Sequence, residues 1–146
     1  MNEDHENNMK FHPQSNTYIL RKKSYFEQNV SLNGNLITGP DTNFWKNLKV
    51  AGNVELGKGT VIRGSLHAEE VILGPDCRVD GDIHASRNAT LLDRCTISGH
   101  ATTDGWMKVR PGCSIKFVRA KKELELVGKV NVESIESGTK VIIHSE

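Results

Sequence analysis

Four lines of sequence decide the architecture: VELGKGTVIRGSLHAEE (54–70), VILGPDCRVDGDIHASRN (71–88), ATLLDRCTISGHATTDGW (89–106) and MKVRPGCSIKFVRAKKEL (107–124). Written beneath one another they repeat with a period of 17, then 18, then 18 residues. Leu56, Leu73, Leu91 and Val109 share one column; Ile62, Val79, Ile97 and Ile115 share another. Gly64, Gly81 and Gly99 fall in a third, and Leu66, Ile83 and Ala101 in a fourth. Within a line apolar or small residues alternate with polar ones, as in Val79, Gly81, Ile83 and Ala85 against Arg78, Asp80, Asp82 and His84. A period of two marks a strand with one buried face. A strand unit this short cannot bury that face alone, so successive lines must stack, each pairing its backbone with the next at about 4.8 Å. The expected fold is all-β: a single-domain, three-sided parallel β-helix with corners at Gly57-Lys58-Gly59, Gly74-Pro75-Asp76 and Pro111-Gly112.

Working outward, Leu32-Asn33-Gly34-Asn35-Leu36 and Val50-Ala51-Gly52-Asn53-Val54 carry the same apolar-x-Gly-x-apolar unit 18 residues apart, which starts the solenoid near residue 30. Toward the other end, Leu126-Val127-Gly128-Lys129-Val130 and the run from Ile135 to Val141 read as further strands and a corner. The 26 residues from Val109 to Ile135 point to a register break or insertion around 117–125. About six turns result. Residues 1–28, rich in Asn, Glu, Asp, Lys and Gln, bury too little apolar surface to offset their ordering entropy. They are read as a largely disordered tail before a β-helix domain at 29–146, with Tyr18-Ile19-Leu20 and Tyr25-Phe26 as a strand or flap over the first turn.

Composition narrows the function. The chain is 36% apolar, 25% charged and 5% aromatic, so its core is built from small aliphatic layers. A net charge of +1 supplies no field that would concentrate nucleic acid. Neither a secretory signal nor an apolar run of about 18 residues is visible, and the expected location is the cytoplasm.

Three constellations suggest chemistry. Cys77, Cys95 and Cys113 recur at 18-residue intervals, but share the inward parity of Leu73 and Val79, with Thr60 and Thr139 as equivalents; a ladder of buried thiols is the expected role. His67 and His84 stack one turn apart, and Asp82 and His100 share a column. Their parity is outward, and no third histidine completes the set that a zinc carbonic anhydrase of β-helix type would need. LGKGTV (56–61) resembles one repeat of the hexapeptide acyltransferases, but no run of hexapeptides follows. Lys116, Arg119, Lys121 and Lys122 form a basic cluster beside Phe117, read as a solvated loop or as a contact with an anionic surface or another subunit.

The segments DCRVDGDIHAS (76–86) and GTVIRGSLHAEEVILG (59–74), with their turns of 17 to 18 residues, resemble the bactofilins, a family of polymer-forming cytoskeletal proteins. The likeness covers about residues 30–143 and includes a polar segment before the repeat. It implies a right-handed β-helix whose molecules join end to end into non-polar filaments without nucleotide. Such filaments commonly lie under the membrane as scaffolds. The implied partners are further copies of the chain, a membrane surface and client proteins, with no nucleic acid, small-molecule substrate, cofactor, metal or catalytic residue. The physics of solenoid ends agrees, because an uncapped end exposes unpaired backbone and an apolar layer. Val141, Ile142 and Ile143 are expected near one end contact, Val30 and Leu32 near the other, and Phe117 among the assembly residues.

Overall fold

The computed structural model describes residues 9–136 and 138–145. Among these there is no helix; the chain winds as a parallel β-solenoid of about seven turns. Face one stacks β2 (Thr17–Leu20), β5 (Asn35–Thr38), β8 (Val54–Leu56), β11 (Val71–Leu73), β14 (Ala89–Leu91), β16 (Trp106–Val109), β18 (Glu123–Val127) and β20 (Val141–His144). Face two holds β3 (Tyr25–Phe26), β6 (Asn43–Phe44), β9 (Val61–Ile62) and β12 (Arg78–Val79). Face three holds β4 (Val30–Leu32), β7 (Leu48–Val50), β10 (Leu66–Ala68) and β13 (Ile83–Ala85). In the later turns β15 (Thr96–Thr103), β17 (Ser114–Ala120) and β19 (Asn131–Ile135) run through the corner and serve both faces. All these pairings are parallel; the exception is β1 (Met9–His12), which folds back antiparallel on β2.

The inward columns are those of the sequence. Leu56, Leu73, Leu91 and Val109 are buried one above another on face one; Ile62, Val79, Ile97 and Ile115 do the same on face two. Close stacking of corners explains the glycines. A Cβ on Gly81 would lie 2.7 Å from the Gly64 carbonyl oxygen, and one on Gly99 2.5 Å from that of Gly81. Gly81→Ala is therefore expected to cost about 1–3 kcal/mol through forced backbone separation, read from its urea midpoint at unchanged m-value.

The corner from face one to face two needs one left-handed residue per turn, and Lys23, Asp41, Gly59, Asp76, Arg94 and Gly112 supply it, with φ from 58° to 83°. Gly and Asp suit that region. Arg94 stacks on Asp76 at 2.8 Å, and its guanidinium holds the Asp76 carboxyl below the usual range. The corner from face two to face three carries a polar ladder. Asn29, Asn47, Ser65 and Asp82 each accept the backbone N–H of Asn47, Ser65, Asp82 and His100 in the next turn, at 2.7–3.0 Å.

Two expectations are corrected. Of the tail placed at 1–28, residues 1–8 lie outside the described residues; Tyr18-Ile19-Leu20 and Tyr25-Phe26 are strands as expected, within β2 and β3, but they form the first turn itself rather than a flap over it, and β1 adds to them. Leu20 and Phe26 are buried there, and this accounts for seven turns rather than six. The irregularity expected around 117–125 is a register shift at its near edge, between Ile115 and Phe117, with one residue fewer rather than an insertion. Val109, Leu126 and Ile143 form one column at 17-residue spacing, and Ile135 belongs to another, opposite Val118. The turn shortens because only two residues separate Ile115 from Val118, where three separate Ile97 from Ala101, and the register shifts there.

Candidate assembly surfaces at the two ends

The thiol column proves to be a corner device. Cys77, Cys95 and Cys113 are buried, and their thiols donate to the carbonyls of Gly57, Gly74 and Leu92 at 3.0–3.2 Å. The Thr42 hydroxyl lies 3.5 Å from the corresponding carbonyl one turn back, that of Arg21, and 3.1 Å from the Gly39 carbonyl of its own turn. Ser24, Thr42 and Thr60 precede the cysteines in this inward column and Val130 follows them, so Thr139 is not an equivalent. Burial pushes the Cys77 thiol up from 9.0 to about 11, and Cys95 is raised by the Cys113 sulfur beside it and by burial. Because the folded chain holds the Cys77 proton more tightly than the unfolded chain, its contribution to stability is complete below pH 9 and is lost as pH rises toward 11. All three thiols are expected to resist Ellman's reagent at pH 8 in the native protein and to react within the mixing time in guanidinium. Prompt reaction of a native thiol would contradict the inward placement.

The outward constellations are ladders on the flanks. His67 and His84 stack with ring centroids 5.8 Å apart, and His84 Nδ1 is 3.0 Å from the Thr102 hydroxyl. Among the described residues no group of three His, Cys, Asp or Glu side chains is placed to hold a metal ion. LGKGTV crosses the corner from face one to face two, with Leu56 and Thr60 buried. The basic residues 116 and 119 lie on strand β17 rather than a loop; Arg119 faces Glu136 at 3.9 Å and Lys121 faces Asp104 at 3.4 Å. No helix among the described residues is long and apolar enough to cross a membrane.

At the C-terminal end the core continues into a layer that no strand among the described residues covers. Leu124, Leu126 and Val118 are 0%, 9% and 0% exposed; the residues stacked on them, Val141, Ile143 and Ile135, are 36%, 73% and 38% exposed. Val132, stacked on Ile115, is half-buried. These four side chains carry the inward parity of the core with no described strand above them. Ile142 does not join them. It pairs with Glu125 and so stands in the outward column of face one. Phe117 is also on the flank, its ring 4.8 Å from that of His100, and it is covered at backbone level by Ser134 of the next turn.

The N-terminal end is built differently. Val30 and Leu32 occupy the inward columns of Leu48 and Val50, and they remain half-buried because β4 is the first strand of face three. On face one, β1 lies across β2, packing Met9 on the core and setting Phe11 on Tyr18 at 4.7 Å between ring centroids. One end is thus partly covered by the chain itself, and at the other no described strand lies over the layer.

Of the six expected assembly residues, the structure gathers Val141 and Ile143 at one end and Val30 and Leu32 at the other, while Ile142 and Phe117 fall on the flanks. Ile135 and Val132 were missed; the 17-residue spacing from Val118 and Ile115 is the signal that places them. Searches against protein-family models, curated proteins and solved structures find nothing that matches this chain.

Proposed function

We propose that this chain is a non-enzymatic structural polymer that joins end to end, without nucleotide, into rods serving as a scaffold. The carrying observation is the exposed core layer at the C-terminal end: Ile143, in the column of Leu56, Leu73, Leu91 and Val109, is 73% exposed. Apolar layers of this kind are covered by another molecule more readily than by water, at about 25 cal/mol per Å². The unpaired strand edge beside them adds backbone donors and acceptors to the contact. The bactofilin resemblance supports the same reading through its rhythm of apolar-x-Gly-x-apolar turns. Negative-stain microscopy of the purified protein in nucleotide-free buffer tests it. Filaments or rods several times the length of one solenoid are expected; uniform single particles at high concentration would refute the proposal.

A further inference from the structure

On the flank of face one, away from both ends, lies a furrow of about 390 Å³. Its floor is the outward column Ile37, Glu55, Ile72 on three successive turns, and Asn35, Asn53 and Glu70 form one rim. Ile37 and Ile72 are 43% and 37% exposed, so a carboxylate stands between two uncovered aliphatic side chains. The same column shows what this position does elsewhere. Further along, Glu125 receives Lys108 at 4.0 Å from the turn before and His144 at 2.7 Å. Glu55 has Ile37 in the place of Lys108 and Gly74 in that of His144, and it makes no ion pair among the described residues. Glu70 on the rim is already held by Asn88 at 2.9 Å and faces Arg87 at 3.6 Å.

We propose that this furrow docks an extended segment of another protein that sets an aliphatic side chain, a Lys or Arg and a second aliphatic side chain at alternate positions on one face, the cation resting on Glu55. A Lys or Arg stem lies along isoleucine while its charged head reaches the carboxylate, which is the amphipathic fit the floor offers. A second copy placed face to face on the same patch sets Glu55 against Glu55 across the two-fold axis, and like charge disfavours it. The site is independent of the end layers, so it stands or falls separately from end-to-end assembly.

The test is a fluorescence-anisotropy titration of the full-length protein with a labelled Val-Lys peptide, carrying Val, Lys and Val at alternate positions with Ser between them, and with its Val-Glu counterpart, in which Glu replaces Lys. The Val-Lys peptide is expected to bind saturably and the Val-Glu peptide not at all. Glu55→Gln is expected to weaken binding about two- to five-fold, as for a solvent-exposed ion pair, and Glu55→Lys to abolish it. Glu55 is exposed, so both variants should keep the wild-type circular-dichroism melt; if Glu55→Lys unfolds, Glu55→Gln carries the test. No saturable binding by the wild type, equal binding of the Val-Glu peptide, or affinity unchanged by substitution at Glu55 would overturn the proposal. So would self-association without peptide that Glu55→Lys removes, since the occupant would then be a second copy.

Discussion

Ile143→Lys is expected to weaken self-association by about thirty-fold or more, measured by sedimentation velocity over a dilution series. In the free chain Ile143 is 73% exposed, and the equivalent residue one turn earlier, Leu126, is 9% exposed. Covering an isoleucine to that degree is worth about 2 kcal/mol, or roughly thirty-fold in association constant. Placing an ammonium group in the covered layer adds a desolvation penalty to the lost contact. Stability should hardly change, because the side chain is already in water. The neighbouring Ile142→Lys is the internal control. Ile142 stands over Glu125 on the flank, and a change there is expected to leave association within about two-fold. Wild-type sedimentation of Ile143→Lys would show that the C-terminal layer is not the contact. Loss of assembly in Ile142→Lys but not in Ile143→Lys would move the contact to face one.

The largest effect on stability is expected for Leu91→Ala. Leu91 is fully buried between Leu73 and Val109, themselves fully buried, on β14, the fifth of the eight strands of face one. Rigid rungs on both sides limit collapse around the gap, so about 2–5 kcal/mol is lost. For a domain of this size that lowers Tm by roughly 8–20 °C. In a solenoid each turn contacts only its neighbours, so a central lesion also uncouples the two halves. A broadened or biphasic melt is therefore expected alongside the lower midpoint. Thr90→Ala, one residue away on the outward side, should stay within about 0.5 kcal/mol of wild type. Equal melts for the two variants would contradict the assigned parity.

The contrast between these neighbours shows why so much of the fold could be read from the chain. Parity along a strand is a local property, and stacking repeats it at a fixed interval, so Leu91 and Cys95 could be assigned inward and His84 outward before any coordinates. The same regularity misled where the interval changed. A corner shortened by one residue between Ile115 and Val118 shifts everything after it, and a column drawn at 18 residues from Val109 then falls on Val127 instead of Leu126. That is also how Ile142 and Ile143 came to be grouped, although adjacent residues of a strand face opposite ways. At the N-terminus Tyr18-Ile19-Leu20 and Tyr25-Phe26 were legible as a strand or flap, but polarity concealed that they form a turn of the solenoid itself. Residues 17–28 carry few apolar side chains, but Tyr18, Leu20 and Phe26 fall where the first layer needs them, and their neighbours gain backbone partners from the turn above. The furrow around Glu55 was not legible, because an isoleucine–glutamate–isoleucine column is assembled from three turns and none of them is unusual alone.

Hydrogen–deuterium exchange over Val141–His144, followed as a function of protein concentration, tests most directly whether the C-terminal layer is covered by another copy. Alternate amides of this last strand point away from β18, and in the isolated solenoid they face solvent. Protection of this segment is predicted to rise with concentration in the wild type and to stay at its dilute value in Ile143→Lys. Exchange that is fast and independent of concentration, in a sample shown to contain assemblies, would contradict the account.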